Sequence, residues 1–274
     1  MYGAAKAGAA YIPKYLDEDP AVQVDPRGWV QSANDGRPLD SLLYSAVTHT
    51  KMLLGSGQSA ADALGAGGAW LDMLAHTQVA DAARGAAGVA ITSTPRMGYS
   101  RLVSPPCCQR CAVLAGKFFK WNAGFQRHPR CDCRHVPVKE GSPLRDVDQH
   151  IGPDQIKDLT KAQRSAIADG ADQNQVINAH RAGSRSSDGM TTVEGTTRRG
   201  YASYVNREVA RQKGEVSKET VVRSRGRRNV TRTKPRLTPE AIYRLSSTRE
   251  EAVRLLGLNG YLLGDIAKVA ARVA

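Results

Sequence analysis

Apolar residues recur at three- and four-residue spacing through Leu39, Leu42, Leu43, Ala46 and Val47. That is the period of one face of a helix. Gly55 and Gly57 break the pattern and Ser59 restarts it, with Asp62 three residues on as a weak capping box. Leu64, Leu71, Leu74, Val79 and Ala82 then predict a second helix, from Ala60 to about Ala90. Its glycines (Gly65, Gly67, Gly68, Gly85, Gly88) each cost about 1 kcal/mol against alanine in a helix interior, so this helix needs its neighbours. Trp70 is expected to anchor the core there. Upstream, Pro13, Pro20 and Pro26 punctuate residues 1–36, which read as irregular.

The period changes after residue 92. TSTPRMGYSRLVSPP alternates weakly and stops at a double proline, a strand followed by a turn. AVLAGKFFKWNAGF reads as a short hairpin around Gly116, with Phe118, Phe119 and Trp121 on its apolar side. CRHVPV reads as a closing strand. Helical signals return over residues 151–180, where Thr160 and Gln163 make a capping box. Residues 181–236 hold Ser, Gly, Thr and Arg with few large apolar side chains. Beyond a short helix over Tyr201 to Gln212, that composition predicts a flexible segment. Thr238 ahead of Pro239 and Glu240 caps a helix with proline in its first position. Ser247 with Glu250 opens another, which Gly257 or Gly260 ends.

The expected fold class is therefore α+β: helical segments around a small β-rich unit, with a flexible basic connector and a C-terminal helix pair. The expected segments are a mainly helical region over 1–92, a β-rich zinc-binding-like unit over 93–140, a helical extension over 141–180, a basic connector over 181–236 and a C-terminal helical segment over 237–274.

Charge sharpens this picture. The net charge is +13 over 274 residues. Residues 181–236 carry 15 Lys/Arg against 5 Asp/Glu, and residues 93–140 carry 9 against 2. A basic segment in an otherwise near-neutral chain reads as a polyanion contact, usually nucleic acid, or as a solvated linker. The candidate phosphate contacts are Arg198, Arg199, Arg207, Arg211, Arg223, Arg225, Arg227 and Arg228. Only Tyr201 and Tyr204 accompany them as aromatics, so stacking on bases, and with it sequence-specific recognition, is not indicated. The longest uncharged run, Gly85 to Pro95, is too short for a membrane span, which needs about 20 apolar residues. The opening MYGAAKAGAAYIPKY lacks the basic-then-apolar pattern of a signal peptide, so synthesis in a reducing compartment is expected.

All five cysteines fall between Cys107 and Cys133. A disulfide framework scatters cysteines along a chain, whereas a metal site crowds them. The pattern is Cys108-x-x-Cys111, then His128-Pro-Arg-Cys131-Asp-Cys133-Arg-His135. Two ligand pairs on distant turns suit the tetrahedral preference of zinc. The favoured set is Cys108, Cys111, Cys131 and Cys133, holding a structural Zn²⁺. His128 is an alternate ligand or a hydrogen-bond partner of a thiolate, and Cys107 and His135 stand outside. Packed reduced cysteines, or one labile disulfide, is the competing reading. The HxE of zinc deaminases, the HExxH of metalloproteases and a complete phosphate-binding loop are absent. No catalytic residue is assigned.

The run CQRCAVLAGKFFKWNAGFQRHPRCDCRHVPV resembles the signature of the phage Mu F-type minor head proteins of actinobacterial tailed phages: CxxC, then LxGK, then HPxCxC. DGRPLDSLLYSAVTHTK and LTPEAIYRLSSTREEAVRLLGLNGYL also resemble members of that group. The resemblance covers most of 35–180 and 237–262 and is weak over the basic stretch. It implies a structural, non-enzymatic minor capsid protein acting in head morphogenesis. The implied partners are the portal protein, the major capsid protein and packaged double-stranded DNA, with no membrane. The implied location is the head interior of the virion, after synthesis in the host cytoplasm. Relatives are sometimes labelled capsid maturation protease, although no protease pattern stands here. The alternatives are a zinc-dependent hydrolase (protease or nuclease) of head assembly, and a free zinc-containing nucleic-acid-binding protein.

Overall fold

The computed structural model describes residues 1–264 apart from 34, 124–130, 132, 146–148 and 224–228, with only the backbone at 144, 222 and 223. The protein is α+β, and its chain divides into two compact units. The first comprises Met1–Cys107 and Leu114–Ile151; the second comprises Cys108–Val113 and Gly152–Ala274. Among the described residues no helix is long and apolar enough to cross a membrane.

The first unit is organised on one long helix. Helices α1 (Tyr2–Ala9) and α2 (Tyr11–Tyr15) precede α3 (Leu39–Gly55) and α4 (Ala60–Thr92). Residues 1–36 are therefore not wholly irregular: the alanine-rich start is a good helix former, and Pro13 sits in the first turn of α2, where a missing N–H is tolerated. At 33 residues α4 is about 50 Å long. Ser59 caps it as expected, accepting from the Asp62 N–H at 3.2 Å. Two of its glycines are contact points. A Cβ on Gly67 would collide with Thr50 of α3, and one on Gly85 with the Trp29 ring. Gly8 of α1 has the same role, since a Cβ there would lie 2.2 Å from the Ala83 carbonyl oxygen. Small residues thus let α1 and α3 approach α4 closely, and Ala5, Ala82 and Ala86 are sealed between α1 and α4. Trp70 is no core anchor. It is 37% exposed, stacks on His49 at 4.6 Å and donates to Ser45 Oγ at 3.2 Å.

An antiparallel sheet, ordered β2-β1-β3, packs on this helical layer: β1 is Met97–Leu102, β2 Phe118–Lys120 and β3 Arg134–Lys139. Ile12, Ala90, Ile91, Met97 and Tyr99 form the core between them. The hairpin expected around Gly116 is absent. Residues Gln109–Leu114 form helix α5, and Gly116, at φ +71°, turns the chain into β2, which pairs with β1. Trp121 is 54% exposed rather than packed.

The second unit contains α6 (Lys161–Ala168), α7 (Gln173–Asn178), α8 (Tyr201–Gln212), α9 (Pro239–Leu245) and α10 (Arg249–Leu258). It also contains two strand pairs: β4 (Thr191–Thr192) with β7 (Arg236–Leu237), and β5 (Glu219–Arg223) with β6 (Asn229–Thr233). Ala166, Val176, Ala179, Ile242, Ala252, Leu256 and Tyr261 make its core. The predicted caps at Thr160 and Thr238 are both formed, while the last helix is capped by Thr248 rather than Ser247. Gly260, at φ +68°, packs so tightly on α8 that a Cβ would lie 2.6 Å from Ala202 Cα.

Among the described residues of 181–236, expected as a flexible connector, lie α8, the strands β4, β5 and β6, and the start of β7. Their packing relies on small polar side chains. Thr192, Thr196, Ser203 and Thr233 are buried beside Ala202 and Val205. Thr233 N–H donates to the Thr196 carbonyl at 2.8 Å, and Arg198 N–H to the Thr231 carbonyl at 2.9 Å. Composition counted these residues as solvent-facing, but hydrogen bonding lets them serve as core.

Candidate metal centre and nucleic-acid interface

The candidate ligands fall two to each unit. In the second, Cys108 and Cys111 flank the start of α5, and the Cys111 N–H points at Cys108 Sγ, 3.4 Å away. A backbone N–H aimed at sulfur stabilises a thiolate, as a metal knuckle requires. Gln109 ties this segment into the unit: its amide donates to the Asp158 carbonyl and exchanges hydrogen bonds with the fully buried Gln163 at 3.3 Å. Gln163 also closes the α6 capping box, accepting from the Thr160 N–H at 2.8 Å.

In the first unit Cys131 and Cys133 are both buried, with their sulfurs 3.2 Å apart. They sit at the entry to β3. The hydrogen bond to Cys131 pushes the Cys133 thiol far up, burial adds to this, and Arg101 and Arg84 pull it back down. Cys107 is buried in this unit as well, and all five cysteines are thiols. His135 lies on β3, opposite Arg101, and stacks on Tyr99 at 4.3 Å, an aromatic contact on the sheet. His128 lies outside the described residues. Among the described residues no group of three or more metal-ligating side chains is gathered. The chemistry of the donors nonetheless fits a thiophilic ion: of the four cysteines all but Cys108 are buried, the Cys131 and Cys133 sulfurs lie together, an N–H points at Cys108 and a guanidinium lies near Cys131.

The candidate phosphate contacts separate into three kinds. Arg198 and Arg199 are exposed at the edge of the β5–β6 ribbon, where Thr197 bridges Arg232. Arg207 is wired inward. It donates to Ser203 Oγ at 2.7 Å and to the Arg198 carbonyl at 3.1 Å, faces Glu219 at 3.4 Å and lies over the Tyr204 ring at 4.7 Å. Arg211 pairs with Glu208 through two hydrogen bonds, of 2.7 and 3.0 Å. It remains exposed, and such surface pairs hold weakly. Arg223 is placed only as backbone at the end of β5, and Arg225, Arg227 and Arg228 lie outside the described residues. Arg232 donates to the Val193 carbonyl and fixes the ribbon's base.

Two clusters had no sequence signal beyond residue type. Arg236 is 2% exposed. It donates to the Asn259 carbonyl and Gln175 Oε1, both at 3.1 Å, and lies 4.2 Å over the Tyr261 ring. His180, isolated in sequence, stands 2.8 Å from Glu240 Oε2 and meets Arg185 Nη1 at 2.9 Å, while Thr160 Oγ1 donates to Glu240 at 2.6 Å. Burial alone would raise the Glu240 carboxyl, but the hydrogen bonds from His180 and Thr160 prevail and hold it at about 2. Unfolded, it would titrate at about 4.3. A depressed folded-state carboxylate stabilises above its unfolded value and loses that contribution as pH falls through the folded one. Urea unfolding should therefore show the wild type losing its advantage over Glu240→Gln between about pH 4 and pH 2. An advantage that stays constant across that range would contradict the assignment.

Comparison with family models, curated proteins and solved structures returned no match.

Proposed function

We propose that this chain is a structural minor head protein of a tailed phage, acting in head morphogenesis near the portal and the packaged DNA. The resemblance of Cys108-x-x-Cys111 and His128-Pro-x-Cys131-x-Cys133 to the Mu F-type signature supports the class. The observation that carries the DNA contact is the pair of exposed arginines, Arg198 and Arg199, which border the two-stranded β5–β6 ribbon; the sequence between the two strands reads Ser-Arg-Gly-Arg-Arg. Arginines at such an edge suit phosphate oxygens, which need charge and reach but no base edge. A zinc ion held by Cys108, Cys111, Cys131 and Cys133, with His128 as the alternate, would supply a structural staple, and these residues would orient it.

Co-expression with the portal and major capsid proteins of its phage, followed by gradient sedimentation, tests the class. The chain is expected in the fractions that hold assembled heads, at low copy. A chain that stays entirely with free protein overturns the proposal.

A further inference from the structure

Arg84 emerges from the C-terminal third of α4 and is buried. Its Nε donates to the Cys133 carbonyl at 2.7 Å, its Nη2 donates to the Cys131 carbonyl, and Asp81, one turn back, takes its Nη1 at 3.0 Å. A guanidinium is a rigid planar fork. When one fork bonds the carbonyls on both sides of residue 132, it fixes the spacing of Cys131 and Cys133. The two sulfurs, 3.2 Å apart, are presented together as a consequence. Asp81 sets the plane of the fork, so its aim at the two carbonyls is built into the helix.

Arg101 approaches the same pair from β1. It is 1% exposed, and its Nη2 lies 3.7 Å from Cys131 Sγ. Its own backbone is pinned on both sides, with its N–H donating to the Lys117 carbonyl at 3.0 Å and its carbonyl accepting from Gly116 at 2.8 Å. Two thiolates at this separation repel, and burying their charge is costly without a fixed cation nearby. Arg101 therefore places a guanidinium against the sulfurs.

We propose that Arg84 and Arg101 are positioning residues for a thiolate-bound metal: Arg84 sets the geometry of the Cys131/Cys133 pair and Arg101 offsets its charge. This rests on the reading of these cysteines as zinc ligands. Partners that orient metal ligands typically change affinity by about 10–100-fold.

The test uses the full-length chain with Arg84→Lys, Arg84→Gln, Arg101→Lys and Arg101→Gln. Zinc affinity is read by competition with a chromogenic chelator, and site geometry by the thiolate absorption of the cobalt(II) form. Both Arg84 variants are expected to bind about 10–100-fold more weakly, with an altered cobalt spectrum, because lysine cannot bridge two carbonyls. Arg101→Lys is expected to stay near wild type, while Arg101→Gln loses a similar factor. If the Arg84 variants fail to fold, the Arg101 pair, which differs in charge, decides. Wild-type affinity in all four variants overturns the inference, and so does an Arg101→Lys protein as weak as Arg101→Gln. A wild-type chain that takes up neither zinc nor cobalt overturns the underlying reading instead.

Discussion

Replacing Cys108 and Cys111 together by serine is expected to remove the bound zinc and unfold much of the chain. In the proposed site these two cysteines supply one ligand pair, and the Cys111 N–H is already aimed at Cys108 Sγ; serine keeps that shape without a metal-binding thiolate. In a chain with only 5% aromatic residues, the apolar core has little reserve. Structural zinc contributes its binding free energy to folding, on the order of 10 kcal/mol in small zinc domains. Native mass spectrometry should register about one zinc per wild-type chain, the mononuclear stoichiometry, and none in the variant. Circular dichroism should show lost helix signal and a broadened melt. Zinc lost from a chain that melts unchanged would reopen the hydrolase reading. A variant that keeps its zinc would remove Cys108 and Cys111 from the ligand set.

The second large effect concerns DNA. Arg198→Ala with Arg199→Ala removes two exposed cations from the ribbon edge, and the slope of log Kobs against log[salt] should become shallower by about 2. Arg207→Ala should behave differently. That guanidinium is engaged with Ser203, Glu219, the Arg198 carbonyl and the Tyr204 ring. Its loss should lower the melting temperature of the second unit and leave the salt slope nearly unchanged. Equal slope changes from both variants would contradict the division of the arginines into surface and internal ones. Fluorescence anisotropy on a short duplex, with a parallel thermal melt, measures both.

The α+β class was legible because its signals are local. Ser59, Thr160 and Thr238 each cap the helix that spacing predicted, and β1 and β3 fall where the alternation placed them. What escaped was set by packing. Gly67 and Gly85 looked like weak points in a helix but are places where neighbours come closest, as is Gly8, in a stretch that read as irregular. The connector over 181–236 looked flexible because apolar content was the criterion, and its core is made of hydrogen-bonded Thr and Ser. Arg207 looked like any other arginine until Glu219, twelve residues on, was brought beside it by the ribbon. The cysteine pattern was plain in the sequence, but the inward aim of Arg84 and Arg101 was not. Neither residue has a distinguishing neighbour in the chain. Their partners are 47 and 30 residues away.

The proposed DNA contact is made through phosphates, without base readout. The most direct test is the binding of the full-length wild-type chain to two duplexes of equal length and unrelated sequence, across a salt series. Equal affinities for the two, falling linearly in log–log form as salt rises, are the predicted result. Failure to bind either duplex at low salt, or a strong preference for one sequence, would contradict it.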